Sequence, residues 1–343
     1  GTSMKHFALN NQEVNRLSNN AIVDEQVCRE LYLKQFEIAV RKAQPWTIMT
    51  SYNFINGVHS AENKWLLTDV LRGEWGFEGA VMTDWGGGYR GAAIVSAGND
   101  MIQPGGVDWY NSLIEAVNDG TLPVEDLDKC VTRILQLIVK TPSFRKYAHS
   151  DSPDLKAHAQ ISRLAAAEGI ILLKHNGALP LVAGSDIAVF GTASYDFIAG
   201  GTGSGNVNKP YVVNLREGLA GAGFLLNEKA DDFYAGYMKT EKARCEKINR
   251  NKNGKWYLDD ERALEVIPED VIADAASSAQ SAIVTIGRIA GEGKDRSVEY
   301  NYLLSEAEKG LIKSVIVVRL SSSYLIDWFL LQKYYFSLKL PKN

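Results

Sequence analysis

Cysteine is scarce in this chain: Cys28, Cys130 and Cys245 are its three, far apart and without a CxxC pair. That argues against a disulfide framework and a thiolate zinc site, and it suits a reducing compartment. Cys28 falls in a helical pattern and is expected in the core. No run approaches the ~20 apolar residues that a membrane span needs, and the first residues lack the charged, apolar and small-residue layout of a signal peptide. Dense blocks of Lys or Arg are missing too. With a formal charge of -4, neither nucleic acid nor an anionic membrane is indicated as the main partner, and a small neutral molecule fits better. The sequence has no internal repeats.

What is present is material for two cores, since 343 residues at 45% hydrophobic exceed what one typical domain holds. Through residues 1–145, short apolar runs alternate with amphipathic stretches. Strands are expected at 3–8, 46–52 and 80–83, and helices at 24–42, 61–72, 107–117 and 124–140. In the first of these helices Val27, Leu31, Leu33, Phe36, Ile38 and Val40 form the expected apolar face. Such alternation implies βαβ units in a parallel sheet or barrel. The strands are too few for a whole (β/α)8 barrel, which takes ~250 residues, so the expected fold class is α/β with the C-terminal half of a TIM-type barrel at 1–145.

Residues 146–157 gather Ser, Pro and charge and are expected as a linker. A second α/β unit is expected over 158–314, with a helix at 158–168, strands at 170–174, 187–191 and 282–287, and helices at 215–222 and 269–279. Residues 234–261 are strongly charged and predict an exposed helical excursion. After Ser314 the pattern dissolves into a Leu-, Tyr- and Phe-rich stretch, 315–343, expected to be an aberrant or truncated tail.

Chemistry gathers at the expected strand ends. "KHFALNNQEVNR" offers Lys5, His6 and Arg16 as donors to hydroxyls or an acid, although Lys and Arg also suit a plain solvated surface. "TIMTSYNFING" puts Met49 and Tyr52 at a second strand end, where both also suit a core. In "GAVMTDWGG" a buried strand stops at Asp84 and Trp85. Asp84 could cap a following helix, or it could serve as a site acid beside the flat indole of Trp85, with glycines allowing close backbone approach. In a barrel these three strand ends converge on one face.

Two glycine-rich loops stand in the second unit. "AGGTGSGN", 199–206, invites a phosphate-loop reading, but it lacks a Lys-Ser or Lys-Thr after its last glycine and has no GxGxxG spacing. A tight turn presenting Ser204 fits it better. "GRIAGEGKDR", 287–296, sets Glu292 between Gly291 and Gly293, an arrangement suited to an acid that must reach into a cleft.

Together with "AAAEGIILLKHNGALPL", these stretches resemble glycoside hydrolase family 3, in its β-glucosidase branch, over residues 1 to about 314. The resemblance implies a (β/α)8-type barrel joined to an α/β sandwich, here partial, with the active site in the cleft between them. It implies retaining hydrolysis of terminal β-D-glucosyl residues, with Asp84 as nucleophile and Glu292 as an acid/base protonated near neutral pH. Lys5, His6, Arg16, Met49, Tyr52 and Trp85 would line the glucose subsite, and Ser204 would reach over from the sandwich. The substrate would be a small β-glucoside or oligosaccharide, with no metal or organic cofactor. The family pattern also has half a barrel before "KHF" that is not seen here, so a fragment without catalysis is one alternative. A β-xylosidase or α-arabinosidase of the same family is another.

Overall fold

Two units make up the structure, a computed structural model that describes residues 1–175, 177–201, 203–250, 261–289 and 292–319: Gly1–Ser152 and Pro153–Asn343. The chain has an α/β fold.

Three parallel strands organise the first unit. β1 (Ser3–Phe7), β2 (Thr47–Thr50) and β3 (Ala80–Met82) lie side by side in chain order, with Ile48 paired to Met4 on one side and Val81 on the other. A further parallel bridge joins Met82 to Met101. Because both faces of a parallel sheet are covered, its central residues are apolar, and Ile48 and Val81 are wholly buried. Phe7, Phe36 and Trp75 meet edge to face beside them, at 4.9 and 6.0 Å from Phe7, a geometry aromatic quadrupoles favour.

The expected helix at 24–42 is broken. Asp24 caps a first turn by accepting the Val27 N–H, a π-wound turn follows at Cys28–Tyr32, and α1 runs over Lys34–Ala43. The wider π turn rotates the face that turns inward, so the buried positions are Cys28, Leu33, Phe36 and Val40, while Val27, Leu31 and Ile38 point to solvent. The stretch Trp65–Glu74 is π-wound as well.

One buried ion cluster pins β3. The Asp100 side chain has no exposure, and its Oδ2 accepts the Val81 N–H at 2.8 Å and one Arg72 nitrogen at 2.7 Å. Its Oδ1 accepts from Arg133 at 2.8 Å, which sits on α2 (Val124–Lys140). Arg72 also donates to the carbonyls of Gly79 and Gly98.

In the second unit, β4 (Asp186–Phe190) lies between β5 (Leu225–Leu226) and β6 (Ser281–Val284), all parallel. The run at 170–174, expected as a strand, pairs with nothing among the described residues. Ile170, Ile171, Leu172 and Leu173 are exposed, and an apolar run without a neighbour to take its hydrogen bonds does not become a strand. The charged stretch from 234 is not a mere excursion either. It belongs to α3 (Glu228–Arg250), which buries Ala230, Tyr234, Glu241 and Cys245 along one side. The Tyr234 hydroxyl accepts the N–H of Gly191, the residue after β4. Residues 251–260 lie outside the described residues.

Two more helices, α4 (Glu269–Ala276) and α5 (Glu306–Arg319), complete this core. α5 corrects the expectation that order ends at Ser314: Leu311, Ile312 and Val315 are buried on the second core, so the helix runs on through 319. The rest of the expected tail, 320–343, lies outside the described residues.

Replacing Asp100 by Ala leaves the Arg72 guanidinium buried without its carboxylate. The expected loss is ~3–5 kcal/mol, seen as a lower urea midpoint in the tryptophan fluorescence of Trp65 and Trp75. A midpoint near wild type would deny the cluster its anchoring part. Glu265 supplies a second test. Burial pushes its carboxyl up to about 7, helped by nearby Glu308 and opposed by hydrogen bonds from Val266 and Thr192. An unfolded Glu ionises near ~4.3 while the folded one stays neutral, so stability should fall as pH rises from there to about 7 and level off above. Urea titrations at spaced pH values should show that slope, and Glu265→Gln should remove it.

Candidate active site

Because β1, β2 and β3 are parallel, their C-terminal ends lie on one edge of the sheet; Lys5, His6 and Met49 lie in the last residues of β1 and β2, and Tyr52, Asp84 and Trp85 follow the ends of β2 and β3. The alternation of β1 breaks near its end: the register against β2 shifts between Met4 and Phe7. Such an irregularity re-aims side chains out of the regular pleat. His6 Nε2 stands 3.3 Å from Asp84 Oδ2.

Asp84 is buried to 9% exposure. Its other oxygen, Oδ1, accepts the Trp85 N–H at 2.8 Å. The residue before it, Thr83, is locked: its N–H donates to the Met101 carbonyl at 2.9 Å and its hydroxyl accepts the Gln103 N–H at 2.8 Å. Asp84 caps no helix. The next one begins at Gly91 with Arg90 as its N-cap, so that alternative is set aside.

Trp85 keeps 65% of its surface exposed, while its carbonyl accepts the Tyr52 hydroxyl at 2.9 Å. An indole held by its backbone but open on its ring is a flat apolar platform. The Arg16 guanidinium sits 4.8 Å from the centroid of the Tyr52 ring and pairs with Glu13 at 3.0 Å. The turn after Trp85 passes through Gly86 at φ +74°, a left-handed angle suited to glycine.

His6, Asp84, Trp85, Tyr52 and Arg16 are thus linked through contacts, and Lys5 adds its charge to the surroundings of His6. Met49 lies half-buried within β2, paired to Met82 of β3. His6 is held below its ordinary titration range by burial; the Asp84 carboxylate opposes that, while Lys5 and Arg16 add to it. At neutral pH the imidazole is therefore uncharged and can give Asp84 one hydrogen bond from Nε2.

One residue of this site had no signal in the sequence. Glu62 is buried, accepts the N–H groups of Tyr89 and Arg90 at 2.7 and 3.0 Å, and takes the Arg90 side chain at 2.8 Å. It holds the far end of the glycine turn. Its partners lie 27 and 28 residues away, too far for local pattern to reveal.

The remaining two expected site residues, Ser204 and Glu292, lie in the second unit. Gly203–Gly205 forms a single 3-10 turn, where the Ser204 N–H donates to Glu292 Oε2 at 3.0 Å and the hydroxyl donates to the same oxygen at 3.3 Å. A cavity of about 320 Å³ opens in the same unit, lined among others by Tyr195, Phe197, Asn206, Lys209 and Arg262. Lys209 donates to Asn206 and to the Val207 carbonyl, and Arg262 pairs with Asp196 at 3.0 Å.

Residues 1–137 match the glycosyl hydrolase family 3 N terminal domain, and residues 170–333 match the glycosyl hydrolase family 3 C-terminal domain. The chain belongs to glycosyl hydrolase family 3. This family 3 chain is 34% identical over 337 residues to the thermostable beta-glucosidase B of Acetivibrio thermocellus, covering 94% of this chain and 41% of that protein. It is 47% identical over 186 residues to an exo-alpha-(1->6)-L-arabinopyranosidase of Bifidobacterium breve, covering 54% of this chain and 24% of that one. Among solved structures it resembles beta-glucosidase 3B from Thermotoga neapolitana in complex with glucose, with a TM-score of 0.84 and 39% identity over 93% of this chain and 45% of that one. The chain thus spans less than half the length of each of these relatives.

An NMR titration of the His6 ring should give a midpoint below 6.5. Asp84→Asn should lower it further, because the carboxylate is what opposes the fall. A midpoint that rises or stands still in Asp84→Asn would show that the two side chains are not coupled.

Proposed function

We propose that this chain carries the nucleophile and the acid/base of a retaining β-glucosidase that removes terminal β-D-glucosyl residues. The observation that carries this reading is Asp84: a nearly buried carboxylate at a parallel-strand end, held by the Trp85 N–H and a neutral His6, beside an exposed indole. The relatives named β-glucosidases support it, as does the glucose found in the Thermotoga protein.

In the reaction, Asp84 Oδ2 attacks the anomeric carbon as the glycosidic bond breaks, and Glu292 gives its proton to the departing oxygen. Water then displaces Asp84 while Glu292 takes the water's proton. Retention requires the two carboxyl groups ~5–5.5 Å apart at one sugar. Fixing Asp84 through Thr83 and Trp85 reduces the freedom lost on reaching the attacking geometry. The indole of Trp85 offers a face for a sugar ring, and Lys5, Arg16 and Tyr52 supply donors for its hydroxyls. Met49 would complete the subsite wall, with Ser204 as a further sugar contact.

We propose also that residues 1–145 are the C-terminal half of a (β/α)8 barrel and 158–314 part of an α/β sandwich, joined by a linker at 146–157. The support is that β1, β2 and β3 stand in chain order, all parallel, with Met101 adding a fourth position. The Bifidobacterium relative favours a second substrate reading, an α-L-arabinopyranoside. Comparing p-nitrophenyl β-D-glucopyranoside with the α-L-arabinopyranoside ranks the two.

Asp84→Asn should lower kcat by roughly 10³-fold or more. Glu292→Gln should slow substrates with poor leaving groups by ~10²–10⁴-fold while sparing activated aryl glycosides, and azide should rescue Glu292→Gly on an activated substrate. Near-normal activity in Asp84→Asn, or no azide rescue, would overturn the assignment.

A further inference from the structure

The turn that meets Glu292 is built for a carboxylate. Gly203 has φ +62°, and a Cβ there would stand 2.7 Å from the Cβ of Glu292 and would overlap its carboxyl group. Any side chain at 203 would therefore evict Glu292, and only glycine permits this approach. The next residue turns two donors, its N–H and its hydroxyl, onto the same oxygen, Oε2, at 3.0 and 3.3 Å. Two donors converging on one oxygen favour the charged form of an acid, because a protonated oxygen loses acceptor strength. The turn is itself braced, since the Asn206 N–H donates to the Gly203 carbonyl at 3.1 Å.

We propose that Gly203 and Ser204 form a seat that positions Glu292 in its ionised state, so that Ser204 acts on this acid. This rests on the reading of Glu292 as the acid/base. The seated form is the one needed when water attacks the glycosyl intermediate: the water's proton goes to Glu292, its oxygen bonds to the anomeric carbon, and the bond to Asp84 breaks. In the first step Glu292 must instead hold a proton, and a protonated carboxyl is bound less tightly by two donors. The seat thus holds the base form more tightly than the acid form, which makes Ser204 a positioning residue for the second half-reaction.

The test is a carbon-13 NMR titration of the protein carrying glutamate labelled at its carboxyl carbon, with the Glu292 signal assigned by its loss in Glu292→Gln. Ser204→Ala removes the hydroxyl donor and should raise the Glu292 midpoint by roughly half a unit to one unit, given how exposed the turn is. Ser204→Thr keeps the hydroxyl and should titrate as wild type. Gly203→Ala should raise the midpoint at least as far as Ser204→Ala, by displacing the carboxyl from both donors. An unchanged midpoint in Ser204→Ala and Gly203→Ala overturns the seat. These shifts are read without turnover, so a failure of azide rescue in Glu292→Gly would sink the acid/base role separately.

Discussion

The Asp100 carboxylate is the constraint on which the first unit turns. It lies fully buried, accepts the backbone of β3 at Val81, and is neutralised by two arginines that reach it from Trp65–Glu74 and from α2. A buried charge persists only where partners replace its lost hydration, and here those partners are chain segments that must be brought together. The same contacts fix where β3 runs, and Asp84 stands two residues beyond its end. The position of Asp84 is therefore set in part by a cluster that, among the described residues, does not contact it.

The two acids are held by different means. Asp84 follows a strand, its neighbours Thr83 and Trp85 tied to the Gln103 and Tyr52 segments, with Glu62 gripping the turn beyond. Glu292 follows glycine-bounded backbone and is met by a one-turn loop. That division suits the roles proposed for them, Asp84 as nucleophile and Glu292 as acid/base. A nucleophile gains from a fixed line of attack, whereas an acid/base changes protonation between half-reactions and gains from a partner that binds one form better than the other.

Much of the first unit was legible because its signals are local. "AVMTDWGG" shows a buried strand, a stop and a turn within eight residues, and parallel pairing then puts Asp84 beside the ends of β1 and β2 without further information. The nearness of His6 was not legible, since it depends on an irregularity in β1 that ordinary strand alternation would contradict. The inward face of residues 24–42 differs from the expected one for a related reason: a π turn shifts the phase of a helix, and a count at 3.6 residues per turn carries the wrong face forward to Leu31 and Ile38.

In the second unit the limits are of another kind. Residues 170–174 have strand composition but pair with nothing among the described residues, and composition cannot report pairing. α3 looked purely solvent-facing because its charges outnumber its apolar positions, yet four buried residues along one side suffice to dock it, and one of them, Tyr234, satisfies the Gly191 N–H at the end of β4. That bond bears on the loop beyond it. Thr192 is gripped by Glu265 through both its N–H and its hydroxyl, so the strand end from which the 199–206 loop departs is anchored twice, once by a tyrosine hydroxyl and once by a carboxyl whose burial keeps it largely neutral below about pH 7. The turn that meets Glu292 therefore lies some ten residues along the chain from a fixed point, whereas Asp84 lies directly beside its own. The difference in how the two acids are held is a difference in the length of chain between each acid's support and its nearest buried tie.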